Sequence, residues 1–165
     1  MNTNVKKMTF AALFAAVIFV ATAYLPRIPI GGLGYVHLGD AFIYIAACFL
    51  PLPYAPAAAG IGGALADLVT GYAFYMPFTF VVKLCLALVF TCKKDTIINK
   101  KNLLATLICV PITYFGYLIP DAILSASIAT AAYYGLMNIL QAVGSAVIFI
   151  IIGKVLDKVN FKKRI

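Results

Sequence analysis

With 165 residues, 64% of them hydrophobic and only 11% charged, at a mean hydropathy of +1.04, this chain has too little polar side chain to coat a soluble core of its own size. Its net charge of +8 argues for a nucleic-acid partner only until the basic residues are located: they sit in short runs between apolar segments. Apolar runs of spanning length fill nearly the whole sequence, so the expectation is one all-α integral membrane domain over residues 1–165.

The first predicted helix covers residues 8–25, behind Lys6 and Lys7. Its apolar stretch is too long for a secretory signal, and no polar cleavage region precedes Pro26, so it reads as a retained helix. Residues 26–37 hold two prolines and three glycines, a loop composition. A short second helix, 38–52, meets Pro51, Pro53 and Pro56, which force a tight turn into a third at 54–71. A fourth follows at 76–92, then the basic connection 93–102, a fifth helix at 103–120, an outward segment 121–130 and a sixth helix at 131–156.

In this six-span arrangement eleven of the 13 Lys and Arg fall on one side. Arg27 lies on the other, and Lys83 within the membrane. The positive-inside bias therefore predicts that both termini are cytoplasmic. The same charges would attract anionic headgroups of the lipid bilayer, and nucleic acid is not expected as a partner.

Polar side chains in hydrocarbon are costly, so they mark candidate sites. Asp40, Asp67, Lys83, Tyr114, Tyr117, Asn138 and Gln141 all map to the outer half of their helices. Tyr134, Asn138, Gln141 and Ser145 follow one helical stripe. Lys83 needs a carboxylate, which Asp67 or Asp40 could supply; an Asp67–Lys83 pair could equally be a purely structural lock. Ligand contact is the favoured role for Asn138, because its stripe also carries Tyr134 and Gln141. Tyr35 and His37 suit either interfacial anchoring or capping of a ligand. Tyr72, Tyr75 and Tyr133 add to a tyrosine-rich surrounding fit for stacking. Ala11, Ala12, Ala15 and Ala16 leave helix one with a smooth face, for packing within the chain or against a partner. Cys48, Cys85, Cys92 and Cys109 lack metal-ligand spacing and read as reduced, buried side chains. There is no nucleotide-binding glycine loop, no zinc or serine-hydrolase motif and no glutamate, so neither metal, cofactor nor catalytic group is expected.

Three elements in residues 37–89 carry a resemblance: Gly39–Asp40 opening helix two, the glycine-rich helix three ending at Ala66–Tyr72, and the Pro77–Lys83 stretch PFTFVVK. Together they resemble the substrate-binding S components of energy-coupling factor (ECF) transporters, riboflavin-type group. The resemblance implies a six-helix bundle in a prokaryotic plasma membrane, with an outward pocket capped by the loop after helix one. It implies as partners a transmembrane T subunit, met by the alanine face of helix one, and two cytoplasmic ATPases. Metal-specific relatives carry an N-terminal Met-His ligand set that Met1–Asn2 does not supply, so a metal substrate is disfavoured.

On that basis the expected function is capture of a B-group vitamin or precursor, a small heterocycle such as riboflavin, thiamine, its pyrimidine precursor or pyridoxine. Asn138, Gln141 and Lys83 would meet the ring heteroatoms. The competing readings are a stand-alone carrier using Asp40, Asp67 and Lys83 as a proton relay, and a non-transporting scaffold.

Overall fold

The computed structural model describes residues 3–26, 28–29 and 35–164. Among them the chain forms six α-helices: α1 (Thr3–Ala23), α2 (Asp40–Phe49), α3 (Tyr54–Val69), α4 (Met76–Leu88), α5 (Lys100–Ser125) and α6 (Ile128–Lys158). Within the connection read as loop, β1 (Ile28–Pro29) and β2 (Tyr35–Val36) pair antiparallel, with Ile28 opposite Val36. A 3-10 turn, Phe161–Arg164, follows α6.

Boundaries differ from those expected of the sequence for identifiable reasons. Helix α1 starts five residues early, since nothing between Thr3 and Met8 interrupts a helix. It stops at Ala23 ahead of Pro26, whose ring disfavours helical backbone in the residue before it. Helix α5 starts earlier than 103 because Asn99 caps it, its side chain accepting from the Asn102 N–H at 3.1 Å. It also runs through Pro111 and past Pro120, where the expected helix ended. Hydrocarbon offers freed backbone groups no water, so a helix interrupted by proline remains the best available state. Residues 121–125, expected to be part of an outward connection, are therefore helical.

Among the described residues three helices are long and apolar enough to cross a membrane: Asn4–Ala23, Lys100–Ser125 and Ile128–Lys158. Helices α2, α3 and α4 have 10, 16 and 13 residues. At about 1.5 Å per residue they rise roughly 15, 24 and 20 Å.

Helix α2 is the hub. Eight of its ten residues are buried, and it touches α1, α3, α4 and α6. A helix that is apolar all round belongs inside, and this one is sheathed by the others. Close approach depends on glycine. A Cβ on Gly62 would stand 2.7 Å from the Ala15 carbonyl oxygen of α1, and one on Gly60 2.9 Å from the Phe80 ring of α4. The outward surfaces carry Leu107, Phe115, Ile119, Leu140 and Ile151, all more than half exposed, as lipid-facing surfaces do.

At the lysine-rich end, the α4–α5 connection is tied down by side chains. Asp157 accepts the N–H groups of Ile97 and Ile98 at 2.7 and 2.8 Å, and Lys162 Nζ donates to the carbonyls of Cys92 and Lys94. Asn102, fully buried, donates to the carbonyls of Thr91 and Ile97 and accepts the N–H of Thr91. The four cysteines are free thiols.

Candidate functional site

The polar side chains converge near the opposite end. Gly39 precedes α2 so tightly that a Cβ there would lie 2.3 Å from Thr22 Oγ1 and 2.9 Å from His37 Nδ1. That approach sets Asp40 in the first turn of α2, where the helix dipole favours a carboxylate. Lys83 on α4 reaches it with Nζ 2.6 Å from Asp40 Oδ1, both side chains almost fully buried. Its stem crosses α3 at Gly63, where a Cβ would meet Lys83 Cγ at 2.8 Å. The glycine thus routes the lysine to the central helix.

Gln141 of α6 completes this half. Its Nε2 donates to Asp40 Oδ2 at 2.9 Å, and its Oε1 accepts the His37 backbone N–H at 3.3 Å. His37 Nδ1 in turn accepts the Gly39 N–H at 3.0 Å, which leaves its ring proton on Nε2. Four elements are joined by one carboxylate, one ammonium and one amide.

A second half adjoins it through Tyr117, whose ring centre is 5.5 Å from Lys83 Nζ. Tyr117 and Thr79 share a hydroxyl hydrogen bond of 3.1 Å. Tyr75, with its ring 6.3 Å from that of Tyr117, donates its phenol to Asp121 Oδ1 at 2.7 Å. The Asn138 side chain of α6 approaches the same carboxylate. The Tyr72 ring lies 6.4 Å from Tyr75 at a steep angle.

Several of the residues singled out in the sequence thus fall together: His37, Asp40, Tyr72, Lys83, Tyr117, Asn138 and Gln141. The partner of Lys83 is Asp40, so the Asp67–Lys83 lock is corrected: the central position of α2 presents Asp40 to the ammonium. Asp67 is buried on α3, near enough to Lys83 to interact electrostatically. Tyr114 belongs to a different contact, its ring against Gly135 on α6, where a Cβ would come within 2.4 Å. Tyr134 stands edge-on to the exposed Tyr133. Tyr35 is in β2, and its side chain, like Arg27, lies outside the described residues. Ser145, at the inner end of the stripe, is fully buried with its hydroxyl unpaired.

Asp121 and Thr79 escaped the sequence analysis, and Tyr75 counted there only as surrounding. The usable signal was periodicity: Thr113, Tyr117, Asp121 and Ser125 recur every four residues. Pro120 hid it by suggesting that the helix had ended.

The alanine face of α1 divides. Ala15 and Ala11 are half-buried and pack on the core, Ala15 facing Gly62 of α3. Ala12 and Ala16 are exposed. Ala16 also borders an apolar hollow of about 330 Å³, shared with Val17, Val20, Ala21, Leu25 and Phe42.

Helices clad in leucine and isoleucine around a linked polar array have the build of a membrane-embedded protein. The same fold occurs in solved structures. An S component for biotin from an ECF-type ABC transporter superposes with a TM-score of 0.67 at 19% identity, covering 95% of each chain. The S component of a bacterial ECF transporter gives 0.70 at 16%, over 94% of this chain and 98% of that one. Curated proteins yield no sequence match. Residues 2–158 match the family described as ECF-type riboflavin transporter, S component, and the chain belongs to that family. It is the substrate-binding subunit of an ECF-type vitamin transporter.

Proposed function

We propose that the array running from His37 through Gln141, Asp40, Lys83 and Tyr117 to Tyr75, Asp121 and Asn138 is the vitamin site. The observation that carries this is its continuity: side chains from α2, α4, α5 and α6 meet end to end at one end of the bundle. Asp40 and Lys83 neutralise each other and hold Gln141 and Tyr117 in position. Asn138, Tyr72 and Tyr117 then offer an amide and aromatic faces to a small heterocycle. In this reading Asp67, Tyr114 and Tyr134 would flank the array and the connection carrying Tyr35 would cap a bound ligand.

In this reading all six helices form one domain spanning a prokaryotic plasma membrane, with both termini cytoplasmic and the site opening outward. A transmembrane T subunit sits against Ala12 and Ala16, with Ala11 and Ala15 supporting them from within, and two ATPases supply the energy. The solved relative described as the S component for biotin supports a vitamin as substrate.

Native mass spectrometry of the purified subunit identifies the co-purified molecule, and calorimetric titration with that molecule tests the site. Asn138→Ala is expected to weaken binding roughly tenfold, the worth of one buried hydrogen bond. Unchanged affinity removes Asn138 from the site, and a subunit that holds no small molecule at all overturns the reading.

A further inference from the structure

Asp121 differs from Asp40 in having no cation paired with it among the described residues. It is 5% exposed; the Tyr75 phenol donates to its carboxylate, the Ser125 hydroxyl donates to its backbone carbonyl, and the Asn138 amide lies nearby. All are neutral. Among the described residues no lysine or arginine pairs with it, and Lys83 is already engaged by Asp40.

The sequence makes the shortfall general. In the six-span arrangement read from the sequence, three carboxylates, Asp40, Asp67 and Asp121, fall in the outer half against two cations, Arg27 and Lys83. The other eleven Lys and Arg lie toward the opposite end. However the two cations are shared, one carboxylate is left over. A carboxylate has about four lone-pair positions, and the one hydrogen bond from Tyr75 leaves room for more. The Tyr75 ring that donates to it is flanked by those of Tyr72 and Tyr117, 6.4 and 6.3 Å away, and aromatic faces attract cations.

We infer that Asp121 sets substrate specificity by pairing with a cationic nitrogen of the ligand, either a protonated amine or a protonated or quaternary ring nitrogen. The substrate supplies the charge that the protein leaves out. Ligands whose buried end is a carboxylate or phosphate are repelled there. The inference rests on the array being the substrate site, as proposed above.

Calorimetry on the detergent-purified subunit tests it, using thiamine and pyridoxamine as probes with a cationic nitrogen, riboflavin as a neutral probe and biotin as an anionic one. A cationic probe is expected to bind most tightly, and Asp121→Asn, nearly isosteric, to weaken it about 100-fold. Tightest binding of riboflavin or biotin overturns the inference while leaving the substrate-binding reading intact. So does an Asp121→Asn variant that holds the cationic probe as well as wild type. Should the variant fail to fold, the wild-type ranking of the four probes decides. If none of the four binds and no small molecule co-purifies, the site assignment itself fails, and this inference with it.

Discussion

At the scale of single residues, the Lys83–Asp40 pair is the feature with the largest energetic consequence. Two charges held 2.6 Å apart out of water are tolerable only together. Lys83→Met strands the carboxylate and is expected to cost about 3–5 kcal/mol, seen as a lowered unfolding temperature in detergent. The double variant Asp40→Asn, Lys83→Met should recover most of that loss. If the single and double variants unfold together, the pair is not what locks α2 to α4. Both residues were conspicuous in the sequence, because a lysine or aspartate inside an apolar run has few places to go. Which aspartate served the lysine was not legible, since that depended on α2 lying at the centre and on Gly63 giving passage across α3.

At the scale of elements, α1 shows how one small-residue stripe serves two surfaces. Ala15 faces Gly62, so the contact with α3 consumes half of the stripe. Ala12 and Ala16 stay exposed, Ala16 beside an apolar hollow. Replacing both with phenylalanine should leave vitamin binding within about twofold, as surface changes usually do. Uptake by cells that also express the T and ATPase subunits should stop. Continued uptake would place the T subunit elsewhere. The sequence pattern showed that helices could approach along this stripe but not how many would. Likewise the composition of α5 announced a break at Pro120, and packing in hydrocarbon overrode it. That carried Asp121 onto the same face as Tyr117.

At the scale of the molecule, charge separates the two ends. Lysines collect around the Asp157 and Asn102 clamps, and the carboxylates of the array sit away from them. On the proposed reading the positive-inside bias puts the clamped end in the cytoplasm. With the four native cysteines replaced, a membrane-impermeant maleimide added to intact cells should label Ala126→Cys, between α5 and α6, and spare Lys94→Cys. The reverse pattern would invert the topology and turn the proposed site inward.

Apolar run lengths, the placement of lysines and the rarity of buried charge were sufficient to specify a helical membrane protein with its polar residues gathered toward one end, because the bilayer imposes those rules locally. The tertiary structure decided the rest: that α2 is the hub, that Lys83 meets Asp40, and that no described lysine or arginine reaches Asp121. These are relations between helices distant in sequence, set by where glycines allow close contact, and no single segment contains them.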